Sequence, residues 1–187
     1  MGNADTKSTW AADVLRFWFQ DLKLEQWFKK DEAVDAAIVS RFSGTHRFVE
    51  AADAASLIAD PETARAALIV FDQFSRNMFR GTPRAFASDA RAFAIADVVV
   101  ARNWDQALSK QERLFIYLPF EHDEKPSSQQ RSVALITSLG DELYTKSALA
   151  HQAIIARFGR FPHRNEILGR VSTPEEIEFL MQPGSSF

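Results

Sequence analysis

The densest group of chemically active side chains lies in RFGRFPHRNEILGR, residues 157–170. This segment holds four arginines, a histidine and an asparagine against one glutamate, in a chain of net charge -3. Guanidinium groups bind carboxylate or phosphate through paired hydrogen bonds, and a newly started helix offers free N–H groups to the same anion. The pattern predicts a site for a small anionic ligand. Its assigned residues are Arg160, His163, Arg164, Asn165 and Arg170.

A structural role explains the same cations equally well at this stage. The arginines could donate hydrogen bonds to the free carbonyl groups of neighbouring helix ends and hold the last three helices together. His163 and Asn165 would then satisfy the remaining polar groups of the turn. The two interpretations are compatible, and both stay open.

A second polar group follows the apolar run of residues 66–71. At a hundred degrees per residue, Asp72, Arg76, Asn77 and Arg80 fall on the face opposite the apolar residues. One interpretation is a surface ladder of ion pairs, because Asp72, Arg76 and Arg80 are successive i, i+4 neighbours. The other is a cleft in which Asp72 orients an arginine, and it adds these four residues to the ligand-binding set.

Two histidines are candidates for acid–base chemistry near neutral pH. His163 belongs to the arginine-rich turn, and His151 falls at the centre of an apolar stripe, where a buried structural histidine is the competing interpretation. No residue is assigned a catalytic role beyond these candidates, so the enzymatic status stays open. The sequence has no fixed metal-ligand spacing and no glycine-rich phosphate loop, and we predict neither a metal nor a cofactor.

The elements that must position these groups are predicted to be helices, because apolar residues recur at helical spacing and strict alternation is nearly absent. We expect an all-α fold with one domain of about eight antiparallel helices over residues 1–187, and with loose termini at 1–8 and 183–187. The predicted helices cover residues 8–20, 32–55 with a break near Gly44, 61–79, 85–102, 109–120, 127–139, 142–158 and 173–182.

Helix boundaries are marked by three local signals. Asp60 followed by Pro61 is typical of an N-cap with proline in the first turn. Thr173 and Glu176 have the spacing of a capping box. Gly159 stands where the helix before the arginine-rich turn should end, and it can adopt the left-handed conformation of a C-cap.

Composition narrows the classes of partner. An acidic chain lacks the broad basic face that nucleic-acid binding needs, and its apolar runs are far shorter than a membrane span, so we expect neither partner. Cysteine is absent, which excludes disulfides and thiol chemistry and favours a cytoplasmic setting. The remaining partners are a small anionic ligand or a protein. The oligomeric state is not predicted.

Five segments resemble, in the same order along the chain, a bacterial family of unknown function, DUF924. They read VLRFWF, LIVFDQFSRNMFRGTPRAFASDARAFAIA, LFIYLPFEHDE, AHQAIIARFGRFPHRNEILGR and STPEE, and they span Val14 to Leu180. The resemblance implies a tetratricopeptide-like all-helical fold in a soluble bacterial protein, with no established activity. Two departures from the family pattern stand out, namely Ser75 in place of a proline and LPFEHDEK in place of LPFMHSED.

A protein-interaction scaffold is the alternative from a different functional class. Stacked helical hairpins offer a concave surface to a peptide, and exposed aromatic residues would mark it. The candidates for such exposed aromatics are Trp18, Trp27, Phe28 and Trp104.

Overall fold

The chain is helical throughout the part that the structure describes. A computed structural model describes residues 5–186, with side chains from Thr9 onward, and no strand occurs within that range. The expected all-α fold class is therefore confirmed. The chain divides into two compact units, of which the first holds the described residues up to Arg80 together with Arg84–Pro119. The second holds Gly81–Pro83 and the described residues from Phe120 onward.

The helices of the first unit include three very short ones, of which only Leu24–Trp27 lies wholly outside the predicted helices. They are α1 (Asp5–Arg16), α2 (Leu24–Trp27), α3 (Glu32–Ala51), α4 (Ala54–Leu57), α5 (Pro61–Leu68), α6 (Ser75–Met78), α7 (Asp89–Ala101) and α8 (Lys110–His122), whose last three residues belong to the second unit. The other helices of the second unit are α9 (Pro126–Thr137), α10 (Glu142–Phe158) and α11 (Pro174–Leu180).

Two stretches of π-helix bring consecutive residues into the core of the first unit. They cover Phe17–Asp21 and Ile69–Phe74, directly after α1 and α5. A π-turn contains more residues than an α-turn, so it changes the angular position of every later residue in the helix. All six residues from Ile69 to Phe74 are buried, and so are Ala66, Ala67 and Leu68 before them, so this part of the helix is packed on all sides.

An aromatic cluster fills the centre of the first unit. The ring centroids of Phe42 lie 5.1 Å from Phe17 and 4.9 Å from Phe74. Trp18 packs edge-on against Phe74 at 5.8 Å and against Phe115 at 5.4 Å. Edge-to-face pairs of this kind add about 0.5–1.5 kcal/mol each to the free energy gained from burial. Trp18 is therefore a core residue and not the exposed aromatic that a scaffold would require.

The predicted helix boundaries are present. The Asp60 carboxylate accepts the backbone N–H of Thr63 at 2.9 Å, with Pro61 in the first turn of α5. Thr173 and Glu176 form the reciprocal hydrogen bonds of a capping box at the start of α11. Gly159 ends α10 with a φ of 68°, in the left-handed region.

The expected break near Gly44 is wrong, because α3 runs from Glu32 to Ala51 without interruption. Glycine in a helix interior costs only about 1 kcal/mol relative to alanine. Burial of an apolar side chain is worth about 1.5–3 kcal/mol, and α3 buries several on one face. Tertiary packing therefore outweighs the local preference of a single glycine.

The predicted loose termini fall partly on residues 1–4 and 187, which lie outside the described residues. Within the described part, α1 begins at Asp5. No helix there has the length and apolar character needed to cross a lipid bilayer.

Two glycine substitutions test this account of the helices. Gly159→Ala should destabilise the protein by about 1 kcal/mol, because alanine is strained at positive φ. Gly44→Ala should stabilise it by up to about 1 kcal/mol, since it stiffens an α3 that is already continuous. An added Cβ meets nothing within 4 Å at either position, so backbone conformation alone decides the sign. Urea unfolding of both variants measures the difference, and equal effects at both positions would contradict this account.

Candidate functional site

Asp72 is fully buried, and its counter-charge comes from the next helical turn. Arg76 Nη1 lies 3.1 Å from Asp72 Oδ1. The same guanidinium donates to both carboxylate oxygens of Asp89, at 2.9 and 3.0 Å. Burial opposes the charge on Arg76, but the two carboxylates outweigh it and raise its pKa. One arginine thus pairs with two aspartates, of which Asp89 begins α7.

Asn77 and Arg80 converge on Asp35 in α3. Asn77 Nδ2 donates to Asp35 at 2.7 Å, and Arg80 binds both carboxylate oxygens at 2.9 Å. Burial opposes ionisation of Asp35, but the hydrogen bonds from Arg80 and Asn77 outweigh it and lower the pKa. The surface ladder is therefore wrong as an interpretation. Asp72 is fully buried, and Arg80 pairs with Asp35 in α3.

In the second unit, the arginine-rich turn is tied to α11 through Glu176. Arg160 donates to both carboxylate oxygens of Glu176, at 2.7 and 2.8 Å. Asn165 Nδ2 and the backbone N–H of Thr173 donate to the same carboxylate, at 3.2 and 2.8 Å. The hydrogen bond from Arg160 is the main cause that lowers the pKa of Glu176, to about 2.

A second carboxylate, Glu124, holds the other end of the turn. Arg170 binds it through two nitrogens, at 2.7 and 3.0 Å, and also donates to the carbonyl oxygen of Phe161 at 3.0 Å. The backbone N–H of Phe161 donates to Glu124 at 2.8 Å. These bonds close a compact loop in which the cation and the anion both contact Phe161. Arg160 and Arg170 therefore both act as structural counter-ions within the second unit.

His151 is buried beside a glutamate. Its Nδ1 lies 2.9 Å from the carbonyl oxygen of Ser147 and 3.0 Å from Glu121 Oε1. A carbonyl oxygen only accepts, so Nδ1 carries the proton, and in the neutral ring Nε2 carries the lone pair. Burial is the main cause that lowers the pKa of His151, to about 3, and the hydrogen bond to the Ser147 carbonyl opposes it. This histidine is neutral at pH 7.

His163 lies in the short 3₁₀ turn Pro162–Arg164, next to a buried cation. The Arg164 guanidinium donates to the carbonyl oxygen of His122 at 3.1 Å and lies over the Phe161 ring at 4.6 Å. Burial, followed by the charge of Arg164, lowers the pKa of His163 to about 4. The Phe161 ring centroid is 5.6 Å from the rings of both His151 and His163. The two histidines therefore flank one aromatic side chain.

The residues proposed as ligands fall into separate groups. Asp72, Arg76, Asn77 and Arg80 belong to the first unit, and the remaining candidates to the second. Sequence reasoning missed the carboxylates that pair with them. Those partners are Asp35, Asp89, Glu124 and Glu176. Only Glu176 carried a local signal, the capping box, because the other three are distant along the chain.

Acidic side chains and histidines do not form a metal centre among the side chains of residues 9–186. No group of three or more His, Cys, Asp or Glu residues there has the arrangement needed to hold a metal ion. The assignment of the arginines and histidines to a ligand site stays a prediction. The paired carboxylates favour a structural role for Asp72, Arg76, Asn77 and Arg80.

Comparison with known proteins places the chain in a family. The model of the family described as "Bacterial protein of unknown function (DUF924)" matches residues 14–184. The chain belongs to DUF924. A solved structure of a protein of unknown function from Agrobacterium tumefaciens is similar to it, with 42% identity and a TM-score of 0.85. That similarity covers 91% of this chain and 96% of the other. No curated protein matches.

Removing the counter-ion of a buried carboxylate should lower the free energy of unfolding of this DUF924 protein more than removing the counter-ion of an exposed carboxylate. Arg76→Met strands Asp72, which is fully buried, so we expect a loss of about 3–5 kcal/mol in the free energy of unfolding. Arg157→Met breaks the exposed pair with Glu175 and should cost less than about 1 kcal/mol. Urea denaturation measures both variants. Comparable losses would contradict the assignment of Arg76 to a buried network.

Acid should destabilise this DUF924 protein before its carboxylates titrate. The ordinary histidine pKa is 6.5, and that of His151 in the folded protein is about 3. Only the unfolded chain takes up the proton between these values, so the stability due to neutral His151 is lost as pH falls below 6.5. The groups facing it are Glu121, His122, His163 and Arg164.

We expect His151 to contribute a loss approaching about 1.4 kcal/mol per pH unit between pH 6 and 5. Urea unfolding at both pH values compares the wild type with His151→Gln, which cannot take up this proton. The variant should lose less stability between the two values. Parallel losses in the two proteins would show that His151 is not held neutral in the folded state.

Proposed function

We propose that the second unit binds a small carboxylate or phosphate anion at the turn formed by His163 and Arg164, beside His151. The observation that carries the proposal is the position of the buried guanidinium of Arg164. It lies over the ring of Phe161, and the imidazoles of His151 and His163 contact the same ring. Its hydrogen bond to the carbonyl oxygen of His122 and its contact with the aromatic ring fix its position. A cation and two imidazoles are thereby held around one aromatic side chain.

The position of Arg164 supports an anion at this turn. Burial is the main cause that lowers the pKa of His151 and His163, and the charge of Arg164 lowers both further, which Glu124 opposes at His163. Arg160 and Arg170 support the site in a different way. Each is paired with a glutamate, and together these pairs fix the segment that carries His163 and Arg164. A preformed turn of this kind reduces the entropy lost when a ligand binds.

Anion binding at this turn would be coupled to proton uptake. His163 is neutral at pH 7, with a pKa of about 4. A bound anion favours the imidazolium and raises that pKa, because opposite charges stabilise one another. Near neutral pH the site would then present a guanidinium and a newly protonated imidazole to the ligand.

Inorganic phosphate and citrate are the probes for this proposal, at constant ionic strength set with chloride. A ligand at a hundred times its Kd should add about 2.7 kcal/mol to the free energy of unfolding. That gain corresponds to a rise in Tm of about 2–4 °C per kcal/mol for a protein of this size. NMR titration should show the pKa of His163 rising in the presence of the bound anion. Calorimetry in two buffers of different ionisation enthalpy should reveal proton uptake.

Matched variants separate binding from folding. Arg164→Gln and His163→Gln should abolish the stabilisation by anions, and Arg157→Gln, an exposed arginine of the same region, should retain it. If phosphate and citrate raise Tm equally in all four proteins, the effect belongs to the solvent and the proposed site is wrong. The same conclusion follows if neither probe changes the pKa of His163.

Two further features belong to the proposal. We propose that the fold is tetratricopeptide-like, since α9 and α10 form a helical hairpin joined by residues 138–141. We also propose a cytoplasmic location, with which the cysteine-free composition is compatible. A protein-interaction scaffold stays the second candidate function, and Phe28, which is 55% exposed, is the observation that favours it.

A further inference from the structure

A groove of about 300 Å³ opens on the first unit, and none of its lining residues belongs to the proposed anion site. Its apolar wall is built from α1, α3 and α4. Trp10 and Phe48 pack edge to face, with ring centroids 6.0 Å apart. Phe48 is 55% exposed, whereas Leu57 is buried and closes the wall. The aromatic side of the groove is therefore accessible to a ligand from solvent.

The opposite side of the groove is acidic. Asp60 and Glu62 stand at the start of α5, and both line the groove. The backbone N–H and the hydroxyl of Thr63 each donate to the Asp60 carboxylate, at 2.9 and 2.7 Å, which holds it in one orientation. Glu62 is exposed, and no cation pairs with it among the described side chains. Among the side chains that the structure describes, the lining carries two carboxylates and no basic residue.

Two arginines lie close to the groove without lining it. Arg91 donates to the carbonyl oxygens of Glu50 and Ala52, at 2.6 and 2.8 Å. Arg102 donates to the carbonyl oxygen of Ile58 at 2.9 Å. Both guanidinium groups donate to backbone carbonyl oxygens, and Asp60 and Glu62 line the groove. The groove therefore combines an aromatic wall with a negative end.

We propose that this groove binds a small organic cation, a primary amine carried on an aromatic or aliphatic group. The hydrocarbon part would lie against Trp10 and Phe48, and the ammonium would donate to Glu62 and Asp60. Charged hydrogen bonds of this type are the stronger class, and an adjacent aromatic ring adds attraction for the cation. Charge complementarity selects an amine over a carboxylic acid of the same shape.

The size of the groove favours a small molecule over a macromolecular segment. Its volume of about 300 Å³ is at the lower end of the range for small-ligand sites. At about 30 Å³ for each water-sized group, it accommodates roughly ten non-hydrogen atoms. A helical peptide needs several apolar anchors spaced along a longer groove. An amine attached to one ring has the size of this groove.

Three compounds that share one phenyl group provide the test. They are 2-phenylethylamine, 2-phenylethanol and 3-phenylpropanoate, which are cationic, neutral and anionic at pH 7. Binding is followed on the full chain through the indole N–H signal of Trp10 in ¹H–¹⁵N NMR spectra. The amine should shift this signal saturably and bind at least about tenfold more tightly than the alcohol, since a charged hydrogen bond is lost in the latter. The carboxylate should bind most weakly.

Exposed substitutions identify the groups responsible. Glu62→Gln should weaken amine binding about tenfold and leave the alcohol unaffected, and Phe48→Ser should weaken both. The matched controls are Glu166→Gln and Leu143→Ser, exposed positions of the second unit that should change nothing. Equal binding of the three compounds, or an unchanged amine affinity in Glu62→Gln, overturns the proposal. So does a basic leucine–lysine peptide that binds where the amine does not, because the occupant would then be a protein.

Discussion

A buried carboxylate must be given a counter-charge or it will not stay ionised inside the protein. This constraint arranges most of the polar side chains of both units. Asp72 is fully buried and is neutralised by Arg76, which also binds Asp89 in α7, and Glu176 of α11 is bound by Arg160. Each network joins different helical segments, so charge pairing also fixes tertiary structure. Removing one partner leaves the other charge buried and unpaired, which costs far more stability than replacing the whole pair by apolar residues. Both partners must therefore be present together.

The same constraint accounts for most of the arginines in the two polar motifs. Arg76, Arg80, Arg160 and Arg170 all bind carboxylates. Arg164 donates to a carbonyl oxygen and lies over an aromatic ring, and its charge also lowers the pKa of Glu124. A density of arginines in a sequence is therefore a weak indicator of an anion site until each guanidinium has been matched with its acidic neighbours. The separation along the chain is between 13 and 46 residues for the pairs Arg76–Asp89, Arg80–Asp35 and Arg170–Glu124.

Local signals were sufficient to predict the helical class and the caps at Asp60, Gly159 and Thr173, because capping depends on neighbours within a few residues. The π-turns were not predictable in this way. Hydrophobic periodicity assumes a constant angle per residue, and Ile69–Phe74 departs from it. Asp72 was consequently placed on the face opposite the apolar residues, as part of a surface ladder or of a cleft. The groove beside Trp10 and Phe48 was also missed, since it is formed by residues from four helices and its aromatic members look like ordinary core positions in the sequence.

The π-turn at Ile69–Phe74 has a consequence for how this chain tolerates changes in length. Such a turn accommodates one residue more than a regular α-turn, so it acts as an insertion held within a helix. Deleting a single residue there would return the segment to regular α-helical winding, and the turns that carry Arg76, Asn77 and Arg80 would keep their direction toward Asp89 and Asp35. In a regular α-helix, by contrast, a deletion rotates every later residue by about a hundred degrees. This segment is therefore the place in the helix where a change in residue count disturbs the later turns least.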